Sequence, residues 1–587
     1  MSPFSTISAI GSLALAVSTL AAPPSKPSPI CKCLSSGPSC FPPTRTLDAF
    51  NKTIEGRLAK ISPPAIVCYQ GPEFDAAACE ALRANATNPY FWGEHIGATM
   101  YPKTLGGEFG VNVCPASLNS SLPDSACGQG KVSSFGVDAR TVEHVRKTVK
   151  FAAAHNLRLT VKSTGHDQAG RSSAKGSFLL WLHHLRGIEF VDTFIPESCT
   201  ARAGLPAVTV SAGEQWGTLY EQAEARGLAV VGGAVQTVGV IGGYLQGGGH
   251  SPLSRTYGMA SDQVLEFKVV TADGQLRTAN SCTNQDIFFA LRGGGVGYGV
   301  VTSATIRTYP SPKTALALYT IEANAGNITK NAALLRQKFV DSQPEWDKIG
   351  LSGYIGFGST TLWLALFQPN GSNATIAAAL KPLFDFADPA RFAVAGVSFG
   401  SPTFYSAYRM FKCYLNKGLC TDTVGENGAL GSRLIPTKLF QNQKGRDKVG
   451  AALSSILDMG TNFLVVHFIA GGQVSNFPPD ATGLNPAWRQ ALWHVVTANF
   501  WADDANAAQI LQKRRATTAQ TKVLAKLSSH AYINEADEAE ADWQNAFYGT
   551  HYKYLLRIKN KYDPAGLFVC HQCVGSERWS ADGNCRV

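Results

Sequence analysis

"GLAVVGGAVQTVGVIGGYLQGGGHSPLSRTYGMASDQVLEFKVVTADGQ", residues 227–275, is punctuated by glycine. Gly232–Gly233, Gly239, Gly242–Gly243 and Gly247–Gly248–Gly249 fall inside it, and Gly293–Gly294–Gly295 follows. Glycine has no Cβ, so backbone N–H groups at such turns can approach a ligand closely. Successive N–H groups of this kind form anion-binding nests, and a pyrophosphate is the natural guest. Tight turns in a twisted sheet use the same residues, so glycine alone leaves both readings open. No G-x-G-x-x-G sits in a strand-turn-helix unit and GxxxxGK[ST] is absent, which disfavours the two usual nucleotide folds.

Working outward, the neighbours alternate between strand and helix patterns. Val142, Val145, Val149 and Ala152 share one helical face, with Thr141 or Asp138 as N-cap. "LRLTVKS" (157–163) and "AVTVSAG" (207–213) read as strands, "WGTLYEQAEAR" (216–226) as a helix stopped by Gly227, and "LAVVGG" (228–233) as a buried strand. "QVLEFKVVTADGQLRTA" (263–279) predicts a hairpin turned at Asp273–Gly274. "NQDIFFALRGGG" (284–295) is a short helix running into glycine, and "YGVVTSATIRTYP" (298–310) a closing strand. Together they predict an α+β domain over 131–310. Residues 311–535 predict a second unit, with a strand in "NFLVVHFIAGG" (462–472) and helices near 331–341, 449–458 and 504–514. Residues 536–587 return to the first domain and contain, within 540–570, a helix-like stretch that stops before Asp563–Pro564, because the residue before proline leaves the helical region. Residues 23–130 form a Cys-rich N-terminal extension and the start of the first domain.

Composition narrows the classes. The chain has 587 residues, 45% hydrophobic and 16% charged, enough for two or three domains. Its net charge of +10 is spread without a basic stripe, so no nucleic acid is expected. Residues 1–22 carry an apolar run too short to span a membrane, ending in small residues before Pro23, which reads as a secretory signal peptide. No later run of about 18 apolar residues occurs, so no membrane span is expected. Fourteen Cys suit disulfides in an oxidising compartment. Glycosylation sequons stand at Asn51, Asn85, Asn119, Asn327, Asn370 and Asn373.

Other chemistries find little support. His183–His184 would face opposite sides of a strand, and H-E-x-x-H is absent. "CHQC" (570–573) has zinc-like spacing but lacks a second pair, so a disulfide is favoured and no metal site is expected. Gly-x-Ser-x-Gly is absent as well.

The order of several blocks resembles the vanillyl-alcohol oxidase/p-cresol methylhydroxylase superfamily, and more narrowly the fungal secreted berberine-bridge-enzyme-like oxidases, including those named isoamyl alcohol oxidase. The blocks are "CKCLSSGPSCFP" (31–42), "VKFAAAHNLRLTVKSTGHDQAGRSS" (149–173), "LLWLHHLRGIEF" (179–190), residues 227–275, "IFFALRGGGVGYGVV" (287–301), "NPAWRQAL" (485–492) and "FYGTHYKYLLRIKNKYDPAGLF" (547–568). The resemblance implies a PCMH-type FAD-binding domain in two α+β subdomains, plus a substrate domain with an antiparallel sheet covered by helices. It implies that His166 is bonded to the flavin 8α carbon, and that Lys162, Ser163, Thr164, Gly165, Asp167 and Gln168 surround the pyrophosphate. Thr237, Val238, Gly239, Gly243, Gly247, Gly248 and Gly249 match a second cofactor-lining stretch, and His551 a position near the ring. Many relatives use a Cys in Cys-Pro-Thr-Val-Gly for a second flavin bond. Here Val235 holds that place, so one covalent link is expected. Val238 matches a position thought to gate oxygen, where Val suits an oxidase.

The implied reaction removes a hydroxyl proton from an alcohol, passes hydride to flavin and returns the electrons to O2 as H2O2. His250 and Tyr257, in "GGGHSPLSRTYG", are the first catalytic candidates; His467, His494 and Tyr548 are weaker ones, and no acidic residue stands out as a base. Three readings compete: a monomeric secreted oxidase of small or secondary-metabolite alcohols, a carbohydrate oxidase of the same fold, and a secreted binding protein with a vestigial flavin site.

Overall fold

The computed structural model describes residues 31–35, 40–106, 110–116, 126–200, 203–416 and 418–587. The expected signal peptide and the Asn119 sequon lie outside the described residues. The first half of the chain builds two small sheets. One has four strands in the order Leu58–Lys60, Phe135–Asp138, Phe178–Trp181 and Leu159–Lys162. The last three run parallel, because the helix Val142–Ala154 carries the chain back between two of them. Thr141 caps that helix, its side chain accepting from the His144 N–H at 3.2 Å, and Val145, Val149 and Ala152 are buried as their spacing requires.

The other small sheet is antiparallel, with five strands in the order Ile188–Phe194, Leu205–Ser211, Val300–Arg307, Val264–Val270 and Leu276–Asn280. Its final pair is the expected hairpin, with Gly274 at φ +72° in the turn. "LAVVGG" differs from expectation. Only Leu228–Ala229 pairs, with Tyr309–Pro310. Val230 and Val231 are buried but run on into the glycine turns instead of extending the ladder.

Residues 314–501 supply a seven-stranded antiparallel sheet, in the order Phe392–Ser401, Thr314–Ala323, Thr361–Pro369, Ser352–Phe357, Phe463–Phe468, Ala491–Trp501 and Asn427–Pro436. The helices Ile328–Lys348, Asn373–Phe386, Gln443–Asp458 and Ala507–Ala525 cover one face. Strand alternation divides the side chains between two cores. Leu464, Val466, Phe468, Trp493 and Val495 pack under the helices. Their neighbours Tyr354, His467 and His494 point to the opposite face, toward the glycine-rich domain. Tyr354 is directly opposite His467, and His467 directly opposite His494, so three adjacent strands set these rings in a row.

The C-terminal helix Tyr552–Tyr562 returns to pack on the helix Gln285–Leu291 of the first half. Gly549, at φ +54°, breaks the expected continuous helix into Trp543–Tyr548 and Tyr552–Tyr562. All fourteen Cys pair, including Cys31–Cys585, which joins the two ends, and Cys570–Cys573, the disulfide expected of "CHQC". No described helix is long and apolar enough to cross a membrane.

Candidate functional site

Between the glycine turns and the bare face of the large sheet lies a cavity of about 710 Å³. One wall is backbone from 162–168, 238–247 and 295–299; Leu430, Phe463, His467, Val496 and Phe500 from the sheet form another. A larger crevice of about 1560 Å³ adjoins it between the N- and C-terminal segments, sharing Arg171, Val569 and Cys570 with it, and on its wall Arg514 pairs with Glu538 at 3.0 Å.

His166 sits on the cavity wall at the end of the strand Leu159–Lys162. Its Nε2 is 2.8 Å from Thr237 Oγ1, and its Nδ1 3.5 Å from the Tyr101 hydroxyl. Burial, aided by the nearby Lys412 charge, pulls its pKa down to about 3, so the imidazole is neutral at ordinary pH. Thr237 is held by its own loop. The Gln236 N–H donates to Asp422 at 2.6 Å, and Asp422 is paired with buried Lys412. The turn after His166 is closed by Asp167, which accepts from the Ser172 N–H and hydroxyl at 2.6 and 2.8 Å. Gly165 stands at φ +88°, where its carbonyl accepts from the Met100 N–H. Ser163, Thr164 and Gln168 line the same wall. The Lys162 side chain points away from it, donating to the carbonyls of Ile96 and Ala98 at 2.6 Å each. Burial lowers its pKa to about 7.

At the other end of the cavity four ionisable side chains converge. Glu535 Oε2 is 2.7 Å from His494 Nε2 and 3.7 Å from His467 Nδ1; Glu535 Oε1 is 3.2 Å from His250 Nε2. The 27% of the Glu535 side chain that stays accessible opens onto the cavity, whose lining includes Glu535 and His467. Burial alone would raise the Glu535 pKa, but the surrounding histidines outweigh it and hold the carboxyl ionised, well below its usual range. Burial pushes His467 well below, and His494 below, the ordinary imidazole range, so both are neutral. Tyr532 and Trp488 pack their rings around His494.

Comparison with known proteins accounts for this layout. A profile described as "FAD binding domain" matches residues 134–280, and one described as "Berberine and berberine like" matches 531–575, the segment bearing Glu535. An uncharacterised FAD-linked oxidoreductase of Arthroderma benhamiae is 35% identical over 578 residues, covering 95% of this chain and 96% of that one. The chain belongs to the berberine-bridge-like FAD-linked oxidoreductases of the vanillyl-alcohol oxidase superfamily. The VAO-type flavoprotein MtVAO615 of Myceliophthora thermophila C1 superposes with a TM-score of 0.85 at 30% identity, over 95% of this chain and 100% of that one. The glucooligosaccharide oxidase of Acremonium strictum, whose FAD is 6-S-cysteinyl and 8α-N1-histidyl, shares the fold with a TM-score of 0.64 at 18% identity, over 85% and 99%.

The cofactor of a berberine-bridge-like oxidoreductase is FAD, and the wall accommodates one. A Cβ added to Gly242 or Gly243 would meet no protein atom closer than 4.0 or 3.7 Å, so both open onto the cavity rather than into packed side chains. Gly239, Gly247 and Val238 also line it. Gly248 and Gly249 do not: their missing Cβ atoms point at Leu484 and Tyr244, 2.5 and 2.4 Å away, and they turn the chain behind the wall. His551 is likewise outside the lining. It belongs to a short turn leading into the last helix, with Nε2 2.9 Å from Asp480 and its ring against Phe289.

Of the two leading catalytic candidates, the fold brings His250 to the polar cluster and leaves Tyr257 out. Tyr257 stacks on Tyr309 at 3.9 Å, because the helix Ser254–Tyr257 turns away at Gly258. Tyr548 stands behind Gly295 of the wall without lining the cavity, its hydroxyl donating to the Gln572 carbonyl. No acidic residue stood out in the sequence, yet the fold brings Glu535 into the histidine cluster. It lies in "SSHAYINEADEAEA", among other acids, and only the long return of the chain beneath the sheet singles it out. His183 and His184 correct a second expectation. They follow the strand Phe178–Trp181 in a turn, so strand alternation does not apply, and both reach Glu94, at 2.8 and 3.2 Å.

Proposed function

We propose that the chain is an extracellular oxidase of small or secondary-metabolite alcohols, with FAD held by one covalent bond to His166. The polar end of the cavity carries the alcohol reading. An O–H group that enters it meets two acceptors, the ionised Glu535 carboxylate and the unprotonated nitrogen of the neutral His467 ring. When bound, FAD supplies hydride acceptance and reduction of O2 to H2O2. The protein's share is to orient the hydroxyl, take up its proton at Glu535, and keep the carboxylate in place through His494 and His250.

The single covalent link is supported from two sides. The neutral His166 ring keeps a lone pair free for bonding. Val235 lines the cavity without a thiol, and every Cys is already in a disulfide. Those seven disulfides also favour an oxidising compartment and hence secretion. The test is a peroxide-coupled screen of the flavin-loaded protein on alcohols beside oligosaccharides. Peroxide from alcohols is expected. Turnover of sugars alone would shift the function to carbohydrate oxidation, and turnover only with an artificial acceptor would make the protein a dehydrogenase.

A further inference from the structure

We infer that His250, His467, His494 and Glu535 form a binding site for one divalent transition-metal ion of the zinc type. This goes beyond the redox reading and rests on the fold alone. The four potential ligand atoms lie within 4.8 Å of one another. Four ligands around zinc at 2.0–2.1 Å are separated by about 3.3 Å. The separations from the Glu535 oxygens, 3.2 Å to His250, 2.7 Å to His494 and 3.7 Å to His467, bracket that value. Small rotations of the rings complete the set.

His467 Nδ1 is the observation that points to a ligand rather than to hydrogen bonding alone. It is buried and has no hydrogen-bond partner, yet it faces Glu535 from a distance too long for a hydrogen bond. An ion between them would satisfy both. The scaffold suits a fixed site: His467 and His494 are direct cross-strand neighbours in a sheet packed beneath by Trp493 and Val466. Three imidazoles and one carboxylate favour zinc, copper(II) or nickel over magnesium or calcium, which prefer all-oxygen sets. The spacing of ligands in the sequence hides the site, because the four residues come from four separate segments.

The test uses full-length, flavin-loaded protein treated with a chelator and then titrated with Zn²⁺ by calorimetry, with Co²⁺ absorption as a second probe. One equivalent of Zn²⁺ per chain is expected. His494→Ala and, on the cavity side, His467→Ala are each expected to weaken binding by more than about 100-fold, beyond the usual loss for an outer-shell change. Both variants are checked for flavin content and melting temperature, and His467→Ala serves if His494→Ala fails to fold. His183→Ala, in the more exposed Glu94 cluster, is expected to leave the titration unchanged. No saturable Zn²⁺ binding, or binding that survives His467→Ala and disappears with His183→Ala, would overturn the assignment. Neither outcome depends on turnover, so the metal and the alcohol readings can fail separately.

Discussion

Thr237 and His166 meet at 2.8 Å, and this contact fixes the ring that is proposed to carry the flavin. Removing the hydroxyl in Thr237→Val frees the ring to rotate about its own bonds. The fraction of flavin that stays with acid-precipitated protein is expected to fall, while total flavin in the native protein changes little. At the other end of the cavity, Glu535→Gln keeps size and hydrogen bonding but removes the charge. It is expected to lower kcat by about 10²- to 10⁴-fold, with flavin content unchanged. Tyr257→Phe removes only a hydroxyl outside the cavity, so kcat should match that of the unaltered enzyme in the same assay. These assignments show how far single residues were legible. His166 was singled out only through the order of the family blocks, because a lone histidine after a strand is as readily a structural residue as a functional one. Glu535 was not singled out, because an acid among acids reveals its role only when distant strands place histidines around it. Tyr257, singled out for its closeness in sequence to the flavin block, and His551, singled out by the resemblance, both lie outside the cavity lining, because position along the chain does not say where a side chain points.

The strands explain why the polar row exists. On Phe463–Phe468 and Ala491–Trp501 one face holds aliphatic and aromatic residues for the helices, and the other holds His467 and His494. A one-residue slip of either strand would bury a histidine under the helices and turn an apolar residue into the cavity. Trp493, fully buried between Phe339 and Phe440, locks the register from beneath. Trp493→Ala should therefore cost about 3–5 kcal/mol in denaturant unfolding. Local elements with their own signals were readable in advance: the helix beginning near residue 142, though its cap was left between Thr141 and Asp138, the Asp273–Gly274 hairpin, and the helix ended by Gly227. "LAVVGG" was misread as a full strand because an apolar run signals burial without saying whether a partner strand is available. The order of the seven-stranded sheet was out of reach, since its pairing is set by contacts far apart in the chain.

The whole molecule is held together by a charge cluster as well as by the Cys31–Cys585 disulfide. Glu538, in the C-terminal segment, meets Lys103 of the first half at 2.7 Å and Arg514 of a sheet-covering helix at 3.0 Å. Burial works to raise the Glu538 pKa, but the Lys103 and Arg514 charges win and pull it to about 2. A carboxyl with a depressed folded pKa stabilises fully above its unfolded value of about 4.3 and loses that contribution as pH falls toward 2. Glu538→Gln should cost about 3 kcal/mol at neutral pH, because Lys103 is left buried without its partner, and should flatten the loss of stability between about pH 4.5 and 2. Melting temperatures across that range check both effects. The proposed bond between His166 and the flavin ties the glycine wall to the rest of the site, and peptide mapping measures it directly. Proteolysis of the flavin-loaded protein, followed by mass spectrometry, should find FAD on the peptide that contains His166 and on no other peptide. Flavin released intact by acid, or found on any other residue, would contradict it.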